Sequence, residues 1–153
     1  MRRFLAIFAA VANLLLADAV VKEIASGLWK NAAPCEVIPG FFNLAYVENR
    51  GCAWGMLQGH VWPLAVFGMV ALAFLLWKRK EIFPLGKFGF IAEVLIYAGI
   101  VGNLIDRVWR GYVIDMFDFY LGSSHFPCFN LADSYICISA SILILCSFVK
   151  RTS

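Results

Sequence analysis

Val61-Trp-Pro-Leu-Ala-Val-Phe-Gly-Met-Val-Ala-Leu-Ala-Phe-Leu-Leu-Trp77, followed at once by Lys78-Arg79-Lys80, is the stretch on which the fold turns. The run carries no charge, and as a helix rising about 1.5 Å per residue it approaches the roughly 30 Å hydrocarbon core of a bilayer. Lysine and arginine are retained on the cytoplasmic side of membranes, so the basic cluster behind the run marks that face. Working outward, three further apolar runs have comparable length: Phe4 to Val21, Phe88 to Ile105, and Asp133 to Val149. Arg2 and Arg3 precede the first, Lys87 completes the basic connection before the third, and Lys150 and Arg151 follow the last.

These flanks predict an all-α membrane protein, a four-transmembrane-helix bundle forming a single integral membrane domain over residues 1–153. Both termini and the connection at about 78–87 are then cytoplasmic, and the longer connections at about 22–60 and 106–132 face the other side. The first run has a competing reading, since a basic start, an apolar stretch and Ala17-Asp18-Ala19 also describe a cleaved secretory signal. Its removal would leave three spans and break the even count set by the other flanks, so it is read as a permanent helix.

Composition agrees. Of 153 residues 62% are apolar and 15% charged, against roughly 25% charged in a soluble domain. A net charge of +3, with no basic run interleaved with stacking aromatics, gives no ground for nucleic acid as a partner. Five cysteines in no Cys-x-x-Cys spacing provide neither a zinc site nor a disulfide framework. Cys137 and Cys146 read as small buried apolar residues, whereas Cys35, Cys52 and Cys128 fall outside the bilayer, where one disulfide is open to them.

The first outer connection is β-rich from Cys35 to Val47, broken by Pro39-Gly40 and closed by the turn signal Glu48-Asn-Arg-Gly51. A small extracytoplasmic sheet lying on the membrane is expected there. Trp29, Phe41, Phe42, Trp54, Trp62 and Trp109 are placed as headgroup-level anchors.

Ionisable groups in or at the ends of membrane helices are costly and call for explanation. Asp18 and Lys22 stand four apart at the outer end of the first run and can pair, as a structural closure or beside a substrate. Glu93 lies toward the cytoplasmic end and takes no role in an outer site. Gly99 and Gly102 permit close helix approach on a face shared with Asn103 and Asp106, and Asp106 beside Arg107 reads as a charge pair. Asp133 opens the last helix, where a carboxylate serves as an ordinary N-terminal cap.

Asp115 and Asp133 nevertheless bracket one compact outer connection, both among apolar and aromatic residues. Two carboxylates sharing a poorly hydrated pocket cannot both ionise, so one is an acid while the other is a base. Such a pair can activate water against a peptide bond with no metal and no covalent nucleophile. The chain has only His60 and His125, no His-Glu-x-x-His, no Gly-x-Ser-x-Gly and no phosphate-binding loop, and Ser123-Ser124-His125 is a weak nucleophile signal.

Five blocks then carry a resemblance: Asp18-Ala-Val-Val-Lys22; Phe42-Asn-Leu-Ala-Tyr-Val-Glu-Asn49-Arg-Gly51-Cys-Ala-Trp54-Gly55; Gly99-Ile-Val-Gly-Asn103-Leu-Ile-Asp106-Arg107; Gly111-Tyr-Val-Ile-Asp115-Met-Phe-Asp118-Phe; and Phe129-Asn130-Leu-Ala132-Asp133. In this order, on a four-span frame, they closely resemble the lipoprotein signal peptidase (signal peptidase II) family of membrane aspartic proteases. The resemblance implies an endopeptidase that removes signal peptides from diacylglyceryl-modified prolipoproteins, cleaving just before the lipidated cysteine.

It further implies that Asp115 and Asp133 are the catalytic dyad, that Asn49, Gly51, Asn103, Arg107 and Asn130 shape the substrate site, and that Asp18, Lys22 and Asp106 support it. No metal or other cofactor is expected. The implied setting is the bacterial inner membrane, with the site at the outer leaflet edge, membrane lipid as surroundings and a monomer as the working unit. Trp54 stands where the family more usually has Phe, and Cys52 where a small residue is common; both bear on pocket width and leave the dyad untouched. Two other readings stay open from the residues themselves. One is a small transporter using Asp18, Lys22, Asp106 and Arg107 as a polar path, and the other a non-catalytic binder of lipidated proteins.

Overall fold

The computed structural model describes residues 1–52, 54 and 56–151. Ala53 and Gly55 of the second sequence block, and the side chains of the flanking Lys150 and Arg151, lie outside the described residues. The elements in chain order are α1 (Arg2–Trp29), β1 (Cys35–Ile38), β2 (Phe42–Asn49), α2 (Val61–Trp77), α3 (Arg79–Ile82), α4 (Lys87–Trp109), β3 (Val113–Leu121), β4 (Ser124–His125) and α5 (Leu131–Arg151).

All four apolar runs are helical, and three of the helices outlast their apolar cores. α1 continues past Val21 because Lys22 pairs inside the helix with Asp18 and Ala25 is fully buried. Helices α1, α4 and α5 are long and apolar enough to cross a membrane, with mean hydropathies of 2.3, 1.9 and 1.8. α2 has 17 residues, or about 26 Å of helix at 1.5 Å per residue, and falls short of that length. The expected count of four is therefore met by three helices of full spanning length and one shorter apolar helix. The connection expected at about 78–87 contains the single turn α3.

α4 is the central helix, with α1, α2 and α5 packed around it. Its sequence explains the position. Gly89, Ala92, Gly99 and Gly102 are small and buried, which lets neighbouring backbones approach where no hydrophobic force drives helices together in lipid. At Gly99 an added Cβ would stand 2.5 Å from the Ala132 carbonyl oxygen and 2.6 Å from Ile136, both on α5. At Gly102 it would stand 2.9 Å from an Asp18 carboxylate oxygen on α1. The outward faces carry Phe8, Phe67 and Leu145, each more than half exposed, as lipid-facing positions should be.

At the basic end of the bundle Glu93 is 1% exposed and accepts hydrogen bonds from Arg3 at 3.1 Å, Arg79 at 2.7 Å and Tyr97 at 3.4 Å. Burial of this carboxylate is thus compensated by two guanidinium groups, and the N-terminus, α3 and α4 are joined through it.

The sheet is larger than the first connection alone predicts. Its order is β1-β2-β3-β4, all antiparallel, so the second outer connection supplies half of it. β2 pairs with β3 from Phe42 opposite Phe119 to Asn49 opposite Val113. Between Leu44 and Val47 the register shifts, Ala45 and Tyr46 standing against Met116 alone. Such a bulge bends a strand and re-aims its side chains, here just beside Asp115. Phe42, Phe119 and Phe129 stack in turn at 4.5 and 5.8 Å between ring centres. The fold is therefore helix-rich with one four-stranded sheet at the end opposite Glu93, and the expected small sheet is present, drawing strands from both connections. No disulfide joins the five cysteines.

Candidate functional site

The site lies where β3, the head of α5 and the outer half of α4 converge. Asp115 sits in the buried first half of β3 and is 2% exposed. Asp133 is in the first turn of α5. Two asparagines link them. Asn130 donates from Nδ2 to Asp115 Oδ1 at 2.7 Å and to Asn103 Oδ1 at 3.2 Å, and Asn103 Nδ2 donates to Asp133 Oδ1 at 2.7 Å. Asn49, from the end of β2, donates to Asp115 Oδ2 at 2.9 Å.

The capping reading of Asp133 holds as well. The Asp133 backbone N–H donates to Asn130 Oδ1 at 2.9 Å, while Asp133 Oδ2 accepts the Asn130 backbone N–H at 3.2 Å. This reciprocal pair is a capping box with Asn130 as the N-cap and Asp133 at the third helical position. Helix capping and a place beside Asp115 are thus compatible, because Oδ2 serves the cap while Oδ1 faces Asn103. Each of the four carboxylate oxygens accepts one hydrogen bond from the protein and retains a lone pair for a further donor.

Arg107 does not pair with its neighbour Asp106. It donates to the Asn103 carbonyl at 3.3 Å and the Gly51 carbonyl at 3.2 Å, pinning the Asn49–Gly51 turn against α4. Gly51 has no room for a side chain, since a Cβ there would meet the Met56 carbonyl oxygen at 2.4 Å. Its N–H donates to Asn49 Oδ1 at 2.9 Å, which fixes the amide that reaches Asp115.

Behind the carboxylates runs a second, buried layer. Lys22 Nζ stands 2.7 Å from Asp18 Oδ2 and 2.8 Å from Asp106 Oδ2. Lys22 is thus the buried cation shared by a carboxylate of α1 and one of α4. Asp18 Oδ1 accepts the Ala132 N–H at 3.0 Å, so α1 holds the head of the helix that carries Asp133. Asp106 also accepts from Arg110 Nε at 3.1 Å, and Arg110 continues to Glu23. Arg110 was not singled out in the sequence, although its place four residues after Asp106 on one helical face is the signal for such a pair.

Two cavities meet at the carboxylates. One, of about 570 Å³, is mostly apolar and runs from Asn103, Arg107 and Asp133 along Ile136 and Ile138 of α5. The other, of about 650 Å³, crosses the sheet from Asp115 to Trp29 and Lys30. Asn49, Cys52, Trp54, Phe126, Pro127 and Cys128 line both. Trp54 packs edge-on against Phe126 at 5.7 Å with its backbone at φ 57°, a conformation unfavourable for a bulky side chain.

Burial, and after it the neighbouring charge of Asp133, pushes the Asp115 carboxyl up to about 7 from the usual 3.8. Burial likewise pushes the Cys128 thiol up to about 12, with the Asp115 charge adding to it. The Asp115 shift has a consequence for stability. Between pH 3.8 and about 7 the folded chain keeps a proton that the unfolded chain has released, so this group makes stability fall as pH rises through that window. Below the window both states are protonated, and above it both are ionised. The expected result is that Asp115→Asn gains thermal stability over the unsubstituted protein as pH is raised from 4 to 7, with no further gain above about pH 8. Melting in detergent across that range measures it, and a pH-independent difference would contradict the shift.

Helices of membrane-spanning length and a sheet bring together two carboxylates, Asp115 buried and Asp133 half-buried. Two solved structures, each described as a bacterial membrane enzyme determined by the in meso method, share the fold. The one at 2.3 Å resolution matches with a TM-score of 0.83 and 34% identity over 97% of this chain and 90% of its own. The one at 1.9 Å matches at 0.79 and 32% over 92% and 91%. A lipoprotein signal peptidase of Vibrio campbellii is 38% identical over 152 residues, 97% of this chain and 88% of that protein. One from Shewanella loihica is 42% identical over 116 residues, 72% and 68% of the two chains. The family profile described as signal peptidase (SPase) II matches residues 10–149. The chain belongs to the signal peptidase II family, and is a protease.

Proposed function

We propose that this chain is a membrane aspartic endopeptidase that removes the signal peptide from diacylglyceryl-modified prolipoproteins, with Asp115 and Asp133 as its dyad. The observation that carries the reading is the Asp115–Asn130–Asn103–Asp133 chain of hydrogen bonds at the meeting point of a cavity of mixed polarity and a mostly apolar one. A substrate with a diacyl tail needs both surroundings at once.

The chemistry follows from the different settings of the two acids. Asp115, pushed up to about 7 by burial, holds the shared proton, and Asp133, tied to the helix head, is the base. Asp133 takes a proton from a water molecule as its oxygen adds to the scissile carbonyl carbon, and Asp115 gives its proton to the carbonyl oxygen. The resulting gem-diol returns a proton to Asp115 as the carbon–nitrogen bond breaks, and Asp133 gives its proton to the leaving amine. The products are a carboxylic acid and the free amino group of the lipidated cysteine, and both aspartates return to their starting states. Asn49, Asn103 and Asn130 fix the acids, and Arg107 and Gly51 hold the turn that carries Asn49.

All four apolar helices span the bilayer in this reading, α2 with Trp62 and Trp77 at its ends meeting a locally thinner membrane. Arg2, Arg3, Lys78, Arg79, Lys80 and Lys87 then face the cytoplasm, both termini lie there, and the site stands at the outer leaflet edge of the bacterial inner membrane. All groups of the site come from one chain, which supports a working monomer.

The test is cleavage of a prolipoprotein with and without its diacylglyceryl group by the purified protein. The lipidated form is expected to be cut before its cysteine and the unlipidated form at least about tenfold less efficiently, because tail burial contributes binding energy. Equal cleavage of both would remove the lipid from the account of recognition.

A further inference from the structure

The cavity that crosses the sheet is open to water, and the carboxylates within it are not equally balanced. Glu48 is shared between Lys30 Nζ at 3.9 Å and Arg50 at 3.2 Å, so its charge is met locally. Asp118 has no cation among its partners in the described residues other than the imidazole of His125. Its Oδ2 accepts from the Asn43 amide at 3.1 Å, and its Oδ1 meets His125 Nδ1 at 2.7 Å. Asp118 stands on the wall of the cavity with its side chain 14% exposed, and no lysine or arginine among the described residues pairs with it. Lys30 lies at the far end, over the Tyr46 ring.

Asp118 follows Asp115 by three residues on β3, roughly 10 Å along a strand. Although that odd spacing turns the two side chains to opposite faces, both line the cavity that crosses the sheet. An extended peptide covers the same distance in about three residues. A chain cleaved at Asp115 and Asp133, with its apolar part in the other cavity, therefore brings the first residues beyond the scissile bond past Asp118.

We infer that the cavity across the sheet binds the first residues of the mature lipoprotein, and that Asp118 selects for a cationic over an anionic side chain at the third of them. This rests on the endopeptidase reading and adds to it a determinant of specificity. Asp118 is a binding residue here and takes no part in bond breaking. It discriminates by attraction of a substrate cation and repulsion of a substrate anion, both weakened but not abolished by the partial access of water.

The experiment uses the full chain in detergent at pH 8, where an imidazole is neutral, with three lipidated peptides identical except for lysine, glutamine or aspartate at the third residue of the mature segment. The quantity read is the ratio of kcat/KM for the lysine peptide to that for the aspartate peptide. Within one protein sample this ratio does not depend on how much of the sample is folded. It is expected to be about threefold or more, the size associated with partly exposed charge pairs, and to fall toward one in Asp118→Asn. Lys30→Gln, which removes the opposing charge, is expected to raise it. A ratio near one in the unsubstituted protein, or one that Asp118→Asn leaves unchanged, overturns the inference while cleavage of the glutamine peptide upholds the endopeptidase reading. Failure to cleave the glutamine peptide overturns both.

Discussion

Asp115→Asn and Asp133→Asn are each expected to lower kcat/KM for a lipidated prolipoprotein by about 10²–10⁴-fold, the range that a positioned acid or base contributes. The double substitution should cost scarcely more than either single one, because a pair that passes one proton back and forth fails as a unit. Asparagine keeps the size of each side chain, and an amide oxygen can still accept from Asn49, Asn103 or Asn130. The variants should therefore remain folded, which melting in detergent verifies. The effects separate in one respect. Asp133 also accepts the Asn130 N–H in the capping box, and a neutral amide is a weaker acceptor there than a carboxylate. Asp133→Asn should accordingly lose some stability, whereas the cost of Asp115→Asn, which gives up one of two accepted amide bonds, should shrink as pH rises toward 7. Cleavage by Asp115→Asn within tenfold of the unsubstituted protein would sink the dyad.

Lys22→Met should unfold or severely weaken the protein. Lys22 is 1% exposed and is the cation between Asp18 and Asp106. Removing one member of a buried ionic group while leaving the others charged costs about 3–5 kcal/mol. Methionine fills similar space, so packing is a small part of the loss. Adding Asp18→Asn and Asp106→Asn to Lys22→Met should recover part of it, since no uncompensated charge then remains buried. Thermal midpoints of the single and triple variants in the same detergent measure this. If Lys22→Met melts with the unsubstituted protein, the ionic layer does not hold α1 to α4. Activity should fall even in the triple variant, because the Asp18 carboxylate that accepts the Ala132 N–H also orients the helix carrying Asp133.

Much of this arrangement was legible in the sequence. The basic flanks and apolar runs determine the helices because lipid leaves few options for a polar backbone. Asp115 and Asp133 stand out because a carboxylate among Ile114, Met116 and Phe117, or at the head of an apolar helix, demands a reason. The small residues Gly99 and Gly102 announced a close helix contact, and it is the one that brings α5 and Asp18 together.

Other parts were not legible, for reasons that lie in tertiary structure. β3 escaped because its buried positions Val113 to Met116 are consecutive instead of alternating, and its partner Phe42–Asn49 lies on the far side of three helices in the chain. Asp106 was assigned to its neighbour Arg107, but successive residues on a helix point in different directions, and the partners are Lys22 and Arg110. The roles of Asn103 and Asn130 at the site entered only through family resemblance. Their amides join two carboxylates from different elements, and no local pattern specifies that.

The bond from Asp18 to Ala132 spans 114 positions of chain. A polypeptide emerging from the ribosome delivers its N-terminal helix long before its last one, and domains take shape largely in that order. Through most of synthesis Asp115 therefore has no opposite number, and Asp18 has nothing to hold. On the proposed dyad, a nascent copy is inert toward peptide bonds in the membrane it is entering, and competence arrives only with α5. The order of the sequence itself does the work that a removable inhibitory segment does in other proteases.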